Sequence, residues 1–337
     1  MGKRKYHAPH RSTLGVRRKR ASSTKPKVGG WPPYSGNPKL LGFPVIKAGM
    51  TQILTKEDNK ASHRHGTEKL EAVTILEAPP IVLFGIRGYK YTPYGKKIIA
   101  EIKTESPYKY MKKYKCLPKE YKEEEQLEKF KQKINEINEI RALIHTQPAL
   151  TRIGTKKPQI FEIPIGANSV QEAFEYAVNK IKQEIQVDEF ISAGDYVDVI
   201  GITKGKGFQG PVKRHGIKIL PRKTKGEKRA VGSIGAWHPA RVTWTVPRYG
   251  QLGFFRRTEY NKRVMQIGSD GKEVTPNGGI PGYGIIGGKA GVTRYVLLKG
   301  SVPGVKKRTV MLRLPIRPKK STLPPPTITY VSTEPQN

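Results

Sequence analysis

Three things are scarce in this 337-residue chain. It has one cysteine, Cys116, which excludes an intramolecular disulfide framework and any multi-cysteine zinc site. It has few acids: 27 Asp and Glu stand against 63 Lys and Arg, a formal net charge of +36 at pH 7. It has no run of the 18 or more apolar residues that a membrane-spanning helix needs. The seven histidines do not fall at ligand spacing with other donors, so no metal site is expected. The basic N-terminus has no apolar core after it and does not read as a secretory signal, so the expected compartment is intracellular.

What is present is charge of one sign on a chain able to fold. With 36% hydrophobic residues it can bury a core. A compact body of charge +36 repels itself unless something anionic binds it. Nucleic acid is the expected partner. A membrane surface is the second option, but it wants a basic amphipathic helix, and none is evident.

The charge is unevenly spread. Residues 1–30 hold ten Lys and Arg and no acid, too polar to fold alone, and read as an arm that orders on nucleic acid. From about Leu40, "LLGFPVIKAGMTQIL", "KLEAVTILEAPPIVLFGIRGY" and "GKKIIAEIKT" are β-branched runs punctuated by Gly and Pro, and predict strands. Residues 105–190 are nearly neutral, with 15 basic and 14 acidic residues, and read as a helical insertion. There Leu127, Phe130, Ile134, Ile137 and Ile144 lie close to one helical face. Ser169 and Glu172 form a capping-box pattern before the stripe Val170, Ala173, Phe174, Ala177, Val178, Ile181 and Ile185. Strands resume at "GDYVDVIGIT". Residues 201–263 then hold 16 Lys and Arg and two acids. So long a stretch without periodicity makes sense as an extended loop ordered by its partner. "YVLLKGSVPG" and "RTVMLRLPI" close the chain before a Pro-rich tail. One β domain interrupted twice is the expectation.

Catalytic and cofactor motifs fail on context. Gly205, Gly207 and Gly210 satisfy G-x-G-x-x-G, but Pro211 and a basic run follow, and no acid for a ribose comes about 20 residues on. These glycines more simply allow close backbone approach, with Lys204 and Lys206 against phosphates. "NGGIPGYGIIGGKAG" lacks Walker spacing, since Ala290 follows Lys289, and reads as turns and bulges. His215 and His238 lack an orienting carboxylate nearby, so they read as RNA contacts rather than catalytic groups. Trp237, in "GAWHP", has turn-forming neighbours and no apolar stripe. An exposed indole there suits stacking on a base. For Trp244 and Phe254-Phe255, a small loop-borne cluster stays open beside an RNA contact.

"GDYVDVIGITKGKGFQGPVKRHG", "LPRKTKGEKRAVGSIGAWHPARV", "GQLGFFRRTEYNKRV", "LLKGSVPGVKKRTVMLR" and "KAGMTQI" closely resemble the universal large-subunit ribosomal protein L-three family. The arm "HAPHRSTLGVRRKRAS" and the insertion at 105–190 resemble its archaeal and eukaryotic branch. The resemblance implies a mainly β fold with an α-helical insertion: a split translation-protein β-barrel with a long RNA-penetrating loop and an N-terminal arm. Its parts would be the arm at 1–30, barrel at 40–104, insertion at 105–190, barrel again at 191–203, loop at 204–262, barrel completion at 263–320 and tail at 321–337. Trp237 matches the tryptophan at the loop tip, which the family links to the path of incoming aminoacyl-tRNA.

On this basis the candidate RNA contacts of the arm are Arg4, Arg11, Arg17, Arg18, Lys19 and Arg20. Those of the loop's first half are Lys204, Lys206, Lys213, Arg214, His215, Arg222, Lys223, Lys225, Lys228 and Arg229. Trp237, His238, Arg241, Arg248, Arg256, Arg257, Lys262 and Arg263 complete the set. At Lys225 the family's eukaryotic members carry a histidine that can be methylated, so that regulation is not expected here. The implied protein is structural, not an enzyme, and takes no cofactor. Its implied partners are large-subunit ribosomal RNA and neighbouring ribosomal proteins in the cytoplasm, not a membrane or a second copy of itself. An RNA-modifying enzyme would need a cofactor motif or an acid-base pair, and neither is found. An architectural DNA-binding protein would show a groove-reading helix or ribbon. The basic residues here lie in irregular extensions suited to folded RNA.

Overall fold

One fifteen-residue strand, Gly42–Lys56, organises much of the chain. The computed structural model describes residues 19–105, 108–113, 122–287, 293–319 and 324–335. In chain order its strands are β1 (Lys39–Leu40), β2 (Gly42–Lys56), β3 (Glu68–Ala78), β4 (Ile81–Thr92), β5 (Gly95–Lys103), β6 (Glu139–Thr146), β7 (Ile160–Gly166), β8 (Glu184–Ile185), β9 (Tyr196–Ile202), β10 (Gly205–Gln209), β11 (Gly250–Gly253), β12 (Arg256–Gly268), β13 (Arg294–Lys299), β14 (Thr309–Arg313) and β15 (Ile328–Val331). The helices are α1 (Glu123–Gln132), α2 (Val170–Lys180) and α3 (Pro211–His215). The fold is mainly β. Two units are distinct: a basic unit of Met1–Thr24 with Ile202–Arg257, and a larger unit of Lys25–Gly201 with Thr258–Asn337.

In the larger unit, β2 changes partners along its length. Gly42–Ile46 pairs with β14, Ile53–Thr55 pairs with β15, and Ile46–Lys56 pairs with β3. Its last third alternates in burial, with Thr51, Ile53 and Thr55 inward, as a strand with one wet face must. The sheet runs β14-β9-β12-β13-β3-β2, and β14 pairs back onto β2. Among the described residues these six strands therefore make a closed ring of pairings, which removes the exposed edges that invite aggregation.

The two faces of these strands feed two cores. Val45, Leu76, Val199, Val296, Leu298 and Val310 join one. Ile46, Val73, Ile75, Tyr295 and Leu297 join the other, beneath Ile280, Tyr283 and Ile286 of the glycine-rich segment. That segment turns on Gly278, Gly279, Gly282, Gly284 and Gly287, all at positive φ. Its Tyr283 hydroxyl donates to the buried carboxylate of Glu77, which also accepts from Thr293 Oγ1 at 3.0 Å. Three buried cations are also held internally. Arg313 donates to Asp198 at 2.6 Å, Arg263 lies bidentate on Asp58, and Lys47 Nζ donates to the Val302 carbonyl at 2.5 Å.

Residues 105–190 are not purely helical. They contribute β6, β7 and β8 to a second sheet, ordered β1-β7-β6-β4-β5 with β8 on β4. The helical face expected through Ile144 breaks after Gln132, and Ile140 and Ile144 lie on β6, paired with β4 and β7. Short apolar runs fit either period, and pairing decided this one. α2 keeps its predicted cap: Ser169 Oγ accepts from Glu172 N at 3.2 Å, and Glu172 accepts from Asn168 N at 3.3 Å. It ends at Lys180, before Ile181 and Ile185 of the expected stripe. Lys182, at φ 66°, turns the chain so that its N–H donates to Leu83 O at 2.9 Å, and Ile185 pairs with Ile81. Phe130 of α1 stacks on Phe174 of α2 at 5.0 Å, closing both helices over the shared core.

The basic unit is built differently. β10 and β11 pair antiparallel, and α3 is a single turn begun by Pro211 and ended by Gly216 at φ 68°. Residues 216–249 contain neither strand nor helix. The stretch expected to lack structure from 204 to 262 is thus ordered at both ends and irregular only between.

Candidate nucleic-acid interface

Residues 202–257 hold fourteen Lys and Arg and one acid, Glu227, so internal pairing cannot neutralise them. Few apolar residues are available to bury the backbone between them. From Gly232 to Thr245 every residue is exposed. Local turns shape the segment instead. Leu220 N donates to Lys228 O at 2.9 Å, closing a loop whose inner turn is held by Glu227 N on Thr224 O at 3.0 Å. Lys225 sits beside Gly226, at φ 82°, in that turn. Arg222, Lys223, Lys225, Lys228 and Arg229 are all exposed around it.

Trp237 lies on a bend and is 88% exposed, with His238 and Arg241 exposed beside it. Trp244 is 72% exposed. No loop-borne cluster of Trp237, Trp244 and Phe254 forms, because fourteen exposed residues offer nothing to pack against. Phe255 is buried, and the Arg257 guanidinium lies 5.1 Å from its ring centroid. Burial pulls the Arg257 pKa below its ordinary value.

The arm's described end joins the same unit. Ala21 N donates to Phe254 O at 2.9 Å, Arg20 forms a β-bridge with Phe255, and the Arg20 guanidinium lies 5.7 Å from the Phe254 ring. Phe254 accepts φ 56° to make this corner, and its N–H donates to Lys204 O at 3.2 Å. Gly253, at φ 72°, must be glycine, since a Cβ there would overlap the Lys204 carbonyl. Lys19, Lys204, Lys206, Lys213, Arg248 and Arg256 are exposed in this unit. Arg4, Arg11, Arg17 and Arg18 lie outside the described residues.

Four expected contacts sit elsewhere or do other work. His215 is buried, 3.2 Å from Arg214, because α3 turns it inward. Arg214 spends its guanidinium on the carbonyls of Arg248 at 2.9 Å and Gln251 at 3.1 Å, pinning the two ends of the irregular segment. Arg263 belongs to the larger unit. It is buried on Asp58 and also donates to Pro324 O at 2.6 Å, and the Asp58 carboxyl is held below its usual range by that guanidinium. Lys262, half-buried, lies 3.6 Å from Glu259. Arg263 is thus buried and internally paired, and His215 is buried beside Arg214.

A basic, irregular, tryptophan-bearing unit that holds the end of the arm, and a larger unit with a closed ring of strands, are the features to be matched. The family model of ribosomal protein L3 matches residues 1–336. The chain belongs to the ribosomal protein L3 family. It is 43% identical over 333 residues to the large ribosomal subunit protein uL3 of Methanococcus aeolicus, covering 98% of each chain. It is 43% identical over 334 residues to that of Archaeoglobus fulgidus, again over 98% of each. To that of Pyrobaculum islandicum it is 42% identical over 339 residues, 98% of this chain and 97% of the relative. The L3 family is structural and not enzymatic. Lys218, Ile234 and Val242, outside the expected set, are also exposed in the same segment. Lys218 shares the charge signal. The two aliphatic residues carried none, since their exposure follows from the missing core.

Proposed function

We propose that this chain is a structural protein of the large ribosomal subunit that binds and organises large-subunit ribosomal RNA and supports subunit assembly. The supporting observation is the basic unit: fourteen cations against one acid over residues 202–257, with Gly232–Thr245 wholly exposed. Each cation that meets a phosphate releases counterions, so RNA supplies the driving force that a core does not. The relatives' names, each a large ribosomal subunit protein, support the same placement, in the cytoplasm. Residues 204–262 extend toward the peptidyl transferase centre with Trp237 at the tip, and residues 1–30 form a second RNA-penetrating extension. The ring of six strands is consistent with a split barrel of the translation-protein type. The chemistry of peptide transfer belongs to the RNA. Neighbouring ribosomal proteins meet the larger unit, and no membrane or second copy takes part.

The test is sedimentation of ribosomes carrying a tagged chain. The chain stays with the large subunit through a high-salt wash. Recovery in the wash fraction, or with the small subunit, overturns the reading.

A further inference from the structure

The β10–β11 ladder sets Phe208 opposite Gln251 and Gln209 opposite Gly250. This register brings Phe208 beside Tyr249, the residue just before β11. Their ring centroids lie 5.4 Å apart with planes tilted by 46°. Yet neither ring enters a core: Phe208 is 69% exposed and Tyr249 60%. Two aromatic rings hold each other in place and leave their other faces in water.

The surroundings fix the pair before any ligand arrives. Arg214 donates to the carbonyls on both sides of Tyr249, those of Arg248 and Gln251. Gln209 Nε2 donates to Lys206 O at 2.5 Å, closing the turn that carries Phe208. Gly207 and Gly210 flank that ring, and a Cβ at either would meet nothing within 4 Å, so the backbone there is open to close approach. Lys204, Lys206, Lys213 and Arg248 are exposed around the pair, and no acid occurs between residues 202 and 226.

The occupant must offer a flat apolar face and negative charge together. An apolar protein side chain would cover the rings and leave the cations unmatched. Duplex RNA would match the cations but keeps its bases stacked on each other. An unpaired nucleotide offers both, a π-face for the rings and phosphates for the lysines. We propose that Phe208 and Tyr249 form a stacking platform for an unpaired base of RNA, with Lys204, Lys206 and Arg248 on the adjoining phosphates. This rests on the RNA-binding reading above and adds a site that recognises single-stranded character.

The experiment compares the full-length chain with Phe208→Ala/Tyr249→Ala, Phe208→Leu, Phe208→Tyr and Lys204→Ala/Lys206→Ala for binding to large-subunit ribosomal RNA across salt. Intact large subunits are also irradiated at short ultraviolet wavelength and their peptide–nucleotide adducts mapped. The double aromatic variant should bind about 5- to 150-fold more weakly with an unchanged salt slope. Phe208→Leu, which keeps apolar bulk, should lose part of that, and Phe208→Tyr should bind as the parent does. The lysine pair should instead flatten the log-log salt slope by roughly 1.4–1.8 units. Adducts should map to Phe208 or Tyr249. Binding by the aromatic variants within twofold of the parent, with adducts only elsewhere in the chain, overturns the platform and leaves RNA binding standing. A salt slope that falls with the aromatic variants overturns it too, since phosphate contacts would then be what was lost. Crosslinks from Lys206 to a neighbouring protein, without nucleotide adducts, assign the pair to a protein instead. Absence of RNA binding by the parent chain would remove the platform and the proposed function together.

Discussion

The larger unit carries 41 Lys and Arg with 26 acids, and the basic unit carries 22 with one. In the larger unit, the buried arginines are structural. Arg313 on Asp198 and Arg263 on Asp58 are buried pairs. On the outer face of the second sheet, Arg87, Arg141, Glu101, Glu139 and Glu162 interlock, with Tyr89 donating to Glu162 at 2.5 Å. Burial there is affordable because each charge is answered within the fold. In the basic unit the answer has to come from outside. The same residue types thus mean stability in one unit and, on the proposed function, recognition in the other, and neighbouring acids rather than the cations themselves decide which.

The sharpest way to break this comparison is to remove one acid from the larger unit. Asp198→Ala strands a guanidinium that is 3% exposed and also frees the N–H groups of Asn261 and Ile316. It should destabilise the free protein by about 3–5 kcal/mol in urea unfolding. A loss below about 1 kcal/mol would mean that water reaches Arg313. The counterpart in the basic unit is Arg222→Ala, Lys223→Ala, Lys225→Ala and Lys228→Ala together. Unfolding should shift by less than about 0.5 kcal/mol, as for surface changes generally. The salt slope of RNA binding should flatten by about 3 units.

A pH titration sharpens the contrast further. His145 is fully buried on β6, its ring between Phe84 and Tyr108, and burial pushes its pKa down to about 4. A depressed folded pKa means stability that is present above the unfolded value near 6.5 and lost as pH falls through the folded one. Between pH 6.5 and 4 this group should remove on the order of 2–3 kcal/mol. Melting of His145→Gln over the same range should lack that component. Glu77 acts with the opposite sign. Burial raises its pKa, so its contribution is greatest below the ordinary carboxylate range and declines as pH rises. Subtracting the His145→Gln curve from that of the parent separates the two.

The smallest effects are expected at the tryptophans. Both are exposed, so Trp237→Ala and Trp244→Ala should each leave the melting of the free protein within about 0.5 kcal/mol of the parent. In assembled subunits Trp237→Ala should loosen the tip by about 1–3 kcal/mol, read as altered aminoacyl-tRNA binding. Unfolding of free Trp237→Ala would make it a core residue.

Much of this was legible in the chain, for identifiable reasons. Ser169 and Glu172 carry their cap locally, and the β-branched run of β2 marks a strand locally, so both are read directly. The charge contrast is compositional and survives any fold. The second sheet was not legible, because "EIRALIHT" satisfies helical spacing until β4 and β7 claim it. The burial of Arg263 was not legible for a related cause. Burial is decided by distant partners, such as Asp58, that sit 205 residues away. The exposure of Trp244 follows from the few apolar residues around it.

On the proposed function, the bridge between Arg20 and Phe255 makes the two extensions bivalent. The chain on one side of it leads into the arm and on the other into the irregular segment, so a ligand that has captured one holds the other at high local concentration. Such linkage can raise overall avidity by about 10²–10⁴-fold without a new contact. It also means that the two need not find their sites independently. Whichever binds first sets the starting point from which its companion searches.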